Sequence, residues 1–318
     1  MPVSALIAIE ISAGWRQRLV AEFPEVRFRF ATETALVAAA AAEAEVVLAH
    51  SLGRDAVAAA TGLRWLQAGT AGVSHLLYSE LRERGVVLTN ARAQGVPMAE
   101  MVLAMMYAFA ARLPLFIEAR TRRDWVAMRA AREKFELQGQ TLVILGLGDV
   151  GGTLCRKAAG VGMRVIGLRR RPELPCAGAD RVVGVDRLRE VLPQADHLAV
   201  TLPLTQGTRD FIAAAEVDLL RAGTYLYNVG GGATVQRQAL LAGLKSGRIA
   251  GAGLDVTDPD PLPADDPLWD MPNVLLTQHT SGASGNNHDR IAAIFAANLR
   301  RYLDGQPLLH AVDQSLGY

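Results

Sequence analysis

Three glycines at fixed spacing constrain this chain more than any other feature. Gly146, Gly148 and Gly151 form the pattern G-x-G-x-x-G between the apolar run TLVIL and a helix-like segment, and a second apolar run, RVIGL, follows. In such a unit the first glycine makes the tight turn, the second lets the backbone approach a pyrophosphate, and the third lets helix and strand pack closely. A helix N-terminus also offers free N–H groups to phosphate. The stretch, with Asp149 and Val150, therefore predicts a dinucleotide site; a glycine turn without a ligand is the alternative.

The end of the second apolar run indicates which dinucleotide to expect. Arg169, Arg170 and Arg171 stand there, where an acidic residue usually binds the ribose 2′-hydroxyl of NAD. Cations at this place favour the additional 2′-phosphate of NADP. We therefore expect NADP(H) to be preferred, with NAD(H) possible. The alternative interpretation of the three arginines is a solvated run of charge.

Strand-like and helix-like segments alternate along most of the chain. The apolar runs ALIAIEI, VRFRF and EVVLAH are separated by helix-like segments, and the alternation resumes from about Thr141 to about Thr280. This rhythm predicts parallel sheets covered by helices. After Pro97, MAEMVLAMMYAFAARL predicts a long helix whose apolar stripe is core. We interpret EARTRRDWVAMRAAREKFEL as a charged connector and NNHDRIAAIFAANLRRYLDG as one amphipathic helix.

Composition excludes several classes of partner. The 318 residues are enough for two domains, and the net charge of +1 gives no reason to expect nucleic acid or an anionic membrane. No apolar run reaches the ~18 residues of a membrane span. We interpret the start of the chain as a strand rather than a signal peptide. The two cysteines, Cys155 and Cys176, form neither a disulfide framework nor a metal motif, so we expect a cytoplasmic protein that needs no metal.

Four longer stretches carry a family resemblance. They are TLPLTQGTRDFI, LQAGTAGVSHLL, LTNARAQGVPMAEMVLAMM and the segment from ALLAGLKSG to LLTQHTSG. They resemble the D-2-hydroxyacid dehydrogenases, and the members nearest to this chain look like the glyoxylate/hydroxypyruvate reductases. The resemblance implies an α/β protein of two flavodoxin- or Rossmann-like doubly wound parallel-sheet domains. The cofactor domain, at 96–284, would be inserted into a substrate-binding domain at 1–95 and 285–318, with the active site in the cleft between them.

The same resemblance implies a reaction and the residues for it. Family members reduce a 2-keto acid to a D-2-hydroxy acid by hydride transfer from a nicotinamide. His279 stands at the position of the proton donor, and an imidazole can give and take a proton near neutral pH. Asp260 stands where the family usually has the glutamate that orients this histidine, although a turn residue in DPDP is an equal alternative. Gln278 replaces the usual proline before His279.

One catalytic position departs from the family. Gly231, in the run Asn228-Val-Gly-Gly-Gly, stands where the family has the arginine that binds the substrate. Removing one stabiliser of a developing oxyanion typically costs ~10²–10³ in rate. Two explanations are open. In the first, another cation, Arg92 or Arg54, replaces the arginine. In the second, the substrate is not an ordinary 2-keto acid, or the reductase activity is lost and the protein is a nucleotide sensor or interaction module. We expect the glycine trio to enlarge the pocket and to leave N–H donors.

Further positions follow from the resemblance alone. The cofactor is assigned Leu202, Pro203, Thr208, Val229, Gly230, Asp255, His279 and Gly282, with Asp255 at the nicotinamide amide. The substrate carboxylate is assigned Gly69, Ala71 and Gly72, whose N–H groups would form an anion nest. His75 is interpreted as a packing or interface residue. The resemblance also implies a homodimer through the cofactor domain, with the helix after Pro97 as one possible face.

Overall fold

The computed structural model describes residues 2–314, which divide into two compact α/β units. One unit runs to Gln94 and resumes at Ser284, and the other comprises Gly95–Ala283. Both sheets consist of parallel strands, as the alternating pattern predicted. The second unit is therefore inserted into the sequence of the first.

The first unit is built on a five-stranded sheet of order β2-β1-β3-β4-β5, counted within the described residues. Its strands are β1 (Val3–Ile7), β2 (Val26–Phe30), β3 (Val46–Ala49), β4 (Trp65–Ala68) and β5 (Val87–Thr89). Its helices are α1 (Ala13–Glu22), α2 (Thr34–Ala41), α3 (Arg54–Ala59), α4 (Ser79–Glu83) and, from the C-terminal part, α12 (Asn287–Leu303). The ring of Trp65 stacks on Phe295 of α12, with centroids 5.2 Å apart. The C-terminal helix thus completes the core of this unit.

The second unit is built on a seven-stranded sheet of order β12-β11-β10-β9-β6-β7-β8, again within the described residues. Its strands are β6 (Thr141–Leu145), β7 (Arg164–Leu168), β8 (Arg181–Val183), β9 (His197–Val200), β10 (Thr224–Asn228), β11 (Ile249–Leu254) and β12 (Val274–Leu276). Its helices are α5 (Gly95–Ala110), α6 (Leu113–Arg122), α7 (Ala127–Glu133), α8 (Asp149–Gly160), α9 (Leu188–Val191), α10 (Ala214–Leu219) and α11 (Arg237–Ser246). The inner strands β6 and β9 are buried along their whole length, as expected for a parallel sheet with both faces covered.

The segment interpreted as a charged connector is helical, so that prediction was wrong. Residues 118–137 contain the second half of α6 and all of α7. Both ends of α6 are set by residues in the left-handed region, Arg112 with φ 57° and Arg123 with φ 55°. The many charged residues indicate that this segment is exposed to solvent, but a surface helix is as exposed as a connector, so charge does not distinguish the two.

Between Pro2 and Gln314 no single helix is long and apolar enough to cross a membrane. Helices α5 and α6 taken together, with a bend of 61° between them, meet the length and composition required.

A buried polar network lies inside the second sheet. His197, at the start of β9, is fully buried, and its Nδ1 lies 3.1 Å from the hydroxyl of Tyr227. Its Nε2 lies 2.5 Å from Oε1 of Gln140. A neutral ring with its proton on Nε2 satisfies both contacts, since the amide oxygen only accepts and the phenol can donate. Burial lowers the pKa of His197 to about 4.

Candidate active site

The glycine turn after β6 has the geometry that a dinucleotide requires. Gly146 has φ 97°, a conformation suited to glycine, and its N–H donates to the carbonyl of Leu168 over 2.9 Å. A Cβ on Gly151 would lie 1.8 Å from the carbonyl oxygen of Gly146, so helix α8 can approach the strand only with glycine there. A Cβ on Gly148 would meet no described atom within 4 Å. The open space at Gly148, beside the N-terminus of α8, fits a pyrophosphate.

The side chain of Asp149 is used inside the protein. Its Oδ2 accepts the N–H of Gly95 over 2.8 Å, and a Cβ on Gly95 would lie 2.6 Å from Oδ1. The carboxylate therefore joins the first residue of α5 to the first residue of α8. Val150 is half-buried against the core under α5. Both residues would contribute to a dinucleotide through their backbone.

The arginine run follows β7 directly. Strand β7 pairs with β6 along its length, so Arg169 begins at the same sheet edge as the turn at Gly146. The N–H of Arg169 donates to the carbonyl of Val183 over 3.1 Å. Arg170 and Arg171 are exposed. Charged and accessible guanidinium groups at this edge fit the 2′-phosphate of NADP.

The loop after β9 lies between the two glycine segments. A Cβ on Gly146 would be 3.1 Å from Cδ2 of Leu202, and one on Gly230 would be 2.3 Å from the carbonyl oxygen of Leu202. The loop is closed by Thr208, whose hydroxyl donates to the carbonyl of Pro203 over 2.6 Å and accepts the N–H of Thr205 over 2.8 Å. The predicted cofactor residues Leu202, Pro203 and Thr208 are therefore parts of one ordered turn.

The glycine trio does not enlarge the pocket, and that expectation was wrong. A Cβ on Gly231 would lie 2.6 Å from Cβ of Leu204 and 2.9 Å from its backbone nitrogen. A Cβ on Gly232 would lie 1.8 Å from the carbonyl oxygen of Thr257. The φ of Gly231 is −116°, which any residue adopts, so space and not backbone conformation requires glycine. The room that a side chain would need is filled by the neighbouring loops.

The N–H donors expected from the trio are also partly used. The N–H of Gly230 donates to Oδ1 of Asn228 over 3.1 Å. The same side chain donates through Nδ2 to the carbonyl of Gly231 over 3.1 Å, and the hydroxyl of Thr234 donates there over 2.6 Å. Val229, between them, is buried and donates its N–H to the carbonyl of Val200 over 3.2 Å. Asn228 therefore fixes the turn through its side chain.

His279 and Asp260 form a contact despite the short aspartate side chain. Nδ1 of His279 lies 2.7 Å from Oδ2 of Asp260. The imidazole side chain is 66% exposed and the carboxylate side chain 37%. His279 has φ 57° and Gln278 has φ 53°, both in the left-handed region that is costly for such residues. This arrangement presents an accessible imidazole with one nitrogen held by a carboxylate.

Asp255 holds the loop that carries His279. It is buried, and its Oδ1 accepts the Thr277 hydroxyl over 2.7 Å and the Thr280 N–H over 2.9 Å. The hydroxyl of Ser281 donates to its Oδ2, and the N–H of Ser281 lies 3.0 Å from Oδ1. The carbonyl of Asp255 accepts the N–H of His279 over 2.6 Å. The sequence analysis assigned Asp255 to the nicotinamide amide and missed this positioning role.

The loop after β4, assigned to the substrate carboxylate, supplies fewer donors than expected. The N–H of Gly69 donates to the carbonyl of Ala49 over 2.8 Å, so it extends the pairing of β3 and β4 and is not free for an anion. The carbonyl of Ala71 accepts Nδ2 of Asn90 over 2.8 Å. The carbonyl of Gly72 accepts the hydroxyl of Thr70 over 2.7 Å. These contacts order the loop. The prediction that the N–H of Gly69 forms part of an anion nest was wrong, because that N–H is already bonded to Ala49.

The two replacement cations differ in their surroundings. Arg54 donates through Nε to Glu80 over 2.6 Å, and this contact raises the pKa of Arg54 and lowers that of Glu80. Its guanidinium is therefore committed to a neighbouring carboxylate. Arg92 is exposed in the loop after β5.

His75, interpreted from the sequence as a packing or interface residue, is exposed. Its Nε2 lies 2.8 Å from the carbonyl oxygen of His50, so His75 contacts the protein by a hydrogen bond rather than by core packing.

Comparison with known proteins identifies the family of this chain. The model of the NAD binding domain of D-isomer specific 2-hydroxyacid dehydrogenases matches residues 103–281. Glyoxylate reductase from Korarchaeum cryptofilum is 30% identical over 280 residues, which are 85% of this chain and 82% of that protein. D-3-phosphoglycerate dehydrogenase from Methanocaldococcus jannaschii is 29% identical over 270 residues, 83% of this chain, and the chain spans about half, 51%, of that longer protein.

A solved structure extends the agreement over the whole chain. The D-isomer specific 2-hydroxyacid dehydrogenase from Xanthobacter autotrophicus Py2, in complex with NADPH and MES, is 28% identical. Its TM-score is 0.83, and the match covers 100% of both chains. The predicted fold class is therefore confirmed, two parallel-sheet α/β domains of the Rossmann-like kind. This chain belongs to the D-isomer specific 2-hydroxyacid dehydrogenase family.

Proposed function

We propose that the protein is an NADPH-preferring reductase that converts a 2-keto acid of the glyoxylate or hydroxypyruvate type to the D-2-hydroxy acid. The observation that carries this proposal is the 2.7 Å contact between His279 and Asp260, in the unit that also carries the glycine turn. An exposed imidazole held by a carboxylate has no evident structural task. The likeness to glyoxylate reductase from Korarchaeum cryptofilum supports the substrate class.

The residues of the pair divide the proton chemistry between them. Nδ1–H of His279 donates to Asp260, which leaves Nε2 as the nitrogen that hands a proton to the developing alkoxide. The carboxylate keeps the ring in this tautomer. A nicotinamide dinucleotide held with its pyrophosphate at the glycine turn would supply the hydride. Asp255 keeps the backbone of the His279 loop in place throughout.

The preference for NADPH rests on the arginine run. Arg170 and Arg171 are exposed at the end of β7, and no acid precedes Glu173 in that loop. Replacing both arginines by glutamine should raise the dissociation constant for NADPH and leave that for NADH nearly unchanged, because NADH lacks the 2′-phosphate. Fluorescence titration of both nucleotides measures this. Equal weakening for the two nucleotides would contradict the assignment.

The decisive experiment is turnover by the purified protein. NADPH or NADH is supplied with glyoxylate, hydroxypyruvate and larger 2-keto acids, and oxidation of the nucleotide is followed by absorbance. We expect turnover with NADPH that His279→Gln lowers by about 10²–10⁴ while NADPH still binds. Tight NADPH binding without turnover on any 2-keto acid would overturn the proposal and leave a nucleotide-binding protein without this reaction.

We also propose that two copies associate through α5, α6 and α7. These helices carry the exposed apolar side chains Tyr107, Leu113, Ile117 and Met128, and Trp125, between α6 and α7, is 92% exposed. Where exposed apolar side chains form one patch, that patch is typical of an interface. Light scattering should give twice the chain mass of 34.0 kDa. Ile117→Asp with Met128→Asp should give the single-chain mass, whereas Val20→Asp, an exposed apolar residue on α1, should not; a monomeric parent protein would refute the association.

The cytoplasm is our proposed location. Both cysteines are free thiols, Cys155 buried and Cys176 half-buried. A reducing compartment keeps thiols in this state. Fractionation of cells that express the protein at native level tests the location, and recovery outside the cytoplasmic fraction would refute it.

A further inference from the structure

The two cysteines of the chain lie in the second unit and contact each other. Cys155 is fully buried in the middle of α8. Cys176 is half-buried in the loop between β7 and β8, and it packs against the apolar core to which Cys155 belongs. The two thiols share a hydrogen bond. A whole strand separates the cysteines in sequence, but the fold places their sulfur atoms side by side.

The backbone of the loop that carries Cys176 also lies against α8. A Cβ on Gly178 would be 2.9 Å from the carbonyl oxygen of Cys155 and 2.9 Å from Cα of Arg156. The carbonyl of Cys176 accepts the N–H of Ala179 over 3.1 Å, which closes a turn around Gly178. The loop therefore contacts the helix directly beside the buried thiol, through its backbone as well as through the cysteine side chain.

The same loop begins with the arginines assigned to the 2′-phosphate. Arg170 and Arg171 are exposed, and the segment from them to Cys176 contains Pro172 and Pro175. Each proline fixes its own φ, so a displacement of Cys176 is passed along this short segment rather than absorbed by it. Helix α8 begins at the glycine turn that fits a pyrophosphate. The thiol pair thus joins the two elements assigned to the phosphates of the cofactor.

The two thiols differ in reactivity. Burial, then the charge and the hydrogen bond of Cys176, raises the pKa of Cys155 to about 12. Cys155 therefore stays protonated while Cys176 is reduced, and an oxidant meets the more accessible Cys176 first. Oxidation of Cys176 removes its thiolate charge and its thiol hydrogen bond, so the pKa of Cys155 then falls. The buried thiol becomes reactive only after its neighbour has been oxidised.

We propose that Cys155 and Cys176 are a reversible oxidation site, whose disulfide weakens binding of the 2′-phosphate of NADPH. The Cys176 sulfur attacks hydrogen peroxide: an S–O bond forms, the O–O bond breaks, and the leaving hydroxide takes the thiol proton and becomes water. The Cys155 sulfur then attacks that of Cys176: an S–S bond forms, the S–O bond breaks, and a second water leaves with the Cys155 proton. Two thiols have lost two electrons and two protons, and one peroxide has become two waters. A dithiol reverses the reaction by exchange and is itself oxidised to a disulfide.

The disulfide acts on the arginine loop rather than on α8. It holds its sulfur atoms ~2.0 Å apart, closer than hydrogen-bonded thiols, so one of the two elements has to shift. Cys155 is held in a helix and a packed core, whereas Cys176 belongs to an irregular loop whose residues are mostly exposed. The loop is therefore drawn to α8 and held there, which limits how closely Arg170 and Arg171 can fit a phosphate, and such contacts depend on geometry. This effect rests on the proposed preference for NADPH, but formation of the disulfide does not.

The first test counts thiols in the full chain and needs neither a nucleotide nor turnover. The sequence has two cysteines, so a disulfide within one chain can join only this pair. After treatment with hydrogen peroxide we expect the denatured chain to have no free thiol and to weigh two hydrogens less, and dithiothreitol to restore both thiols. Cys155→Ala should stop at the sulfenic acid of Cys176, which dimedone traps. Two free thiols after treatment, a disulfide between chains, or oxidation that dithiothreitol does not reverse would overturn the site.

The second test compares nucleotide binding by the oxidised and the reduced protein. Fluorescence titration should show that oxidation raises the dissociation constant for NADPH about tenfold, as expected for losing one charge-assisted hydrogen bond, and leaves that for NADH unchanged. Cys176→Ser, treated with peroxide in the same way, should keep its affinity for NADPH, which controls for oxidation of methionines. Equal NADPH affinity of the oxidised and reduced parent protein would refute the effect on the cofactor.

The two tests separate this inference from the proposed function. A protein that turns over a 2-keto acid with NADPH but forms no disulfide would refute the oxidation site and leave the reductase standing. A reduced protein without preference for NADPH would refute the proposed cofactor, and with it the effect on the 2′-phosphate. The thiol count alone then decides whether Cys155 and Cys176 form the disulfide.

Discussion

Gly231 and Leu204 are in such close approach that position 231 has no room for a side chain. A Cβ there would lie 2.6 Å from Cβ of Leu204, 2.9 Å from its nitrogen and 3.1 Å from its Cα. Two of these three atoms belong to the backbone, so rotation of the leucine side chain cannot relieve the overlap. An arginine at this position would require the loop from Leu202 to Thr208 to move.

We predict that Gly231→Ala destabilises the protein by about 1–3 kcal/mol, as overpacking does in ordered structure. It should also weaken NADPH binding, because the displaced loop packs on the glycine turn at Gly146. Urea titration and nucleotide fluorescence measure the two effects. Gly207→Ala in the same loop is the matched control, since a Cβ there meets no described atom within 4 Å. Equal stability of the two variants would show that position 231 tolerates a side chain.

His279→Gln should lower kcat by about 10²–10⁴, the usual contribution of a positioned acid or base. The dissociation constant for NADPH should stay within experimental error. Asp260→Asn should lower kcat less, because the amide oxygen can still accept Nδ1–H without the charge. Asp258→Asn, which removes a nearby acid 3.6 Å from Arg209, is the control and should retain activity. Full activity of His279→Gln would remove the histidine from the mechanism.

Asp255→Asn should loosen the loop that follows β12. Four donors from Thr277, Thr280 and Ser281 converge on the carboxylate, and an amide would turn an NH₂ group towards some of them. Leaving a buried donor without an acceptor costs about 1–3 kcal/mol. We expect faster hydrogen exchange at residues 279–281 and a lower kcat. Asp266→Asn, another buried acid of the same unit, should leave exchange at 279–281 unchanged.

His197 should make the stability of the second unit depend on pH. Burial lowers its pKa to about 4, against 6.5 in the unfolded chain. The unfolded state therefore binds the extra proton between these values, and stability is lost as the pH falls from 6.5 towards 4, by about 3 kcal/mol in all. Urea titrations at pH 7.5 and pH 4.5 should show a smaller difference for His197→Gln than for the parent protein. His75→Gln, an exposed histidine, should keep the parent's difference.

Features set by local pattern were predictable from the sequence. The alternation of strands and helices predicted parallel-sheet structure, the family resemblance implied two such domains, and the family is confirmed by the match over residues 103–281. The turn at Gly146, the open position at Gly148 and the close packing at Gly151 each follow from one short motif. Such motifs encode their geometry in neighbouring residues, so one sequence is sufficient to interpret them.

Features set by contacts between distant residues were not predictable. The glycine trio was interpreted as open space, but Leu204 and Thr257, each about 25 residues away, fill it. The N–H of Gly69 was counted as an anion donor, but it pairs with the end of a neighbouring strand. Asp255 could not be recognised as the anchor of the His279 loop, because its partners lie more than 20 residues further on. The contribution of each residue to catalysis stays a prediction.

The stacking of Trp65 on Phe295 bears on how the chain folds as it is synthesised. A ribosome synthesises residues 95–283 before α12. The second, inserted unit is therefore complete while the first unit still lacks its last helix. Domains generally fold from the N-terminus as they emerge, and here that order is inverted. Until α12 is synthesised, the face of the Trp65 ring that stacks on Phe295 has no partner in the first 94 residues. We therefore expect the first unit, rather than the inserted one, to need chaperone protection during synthesis.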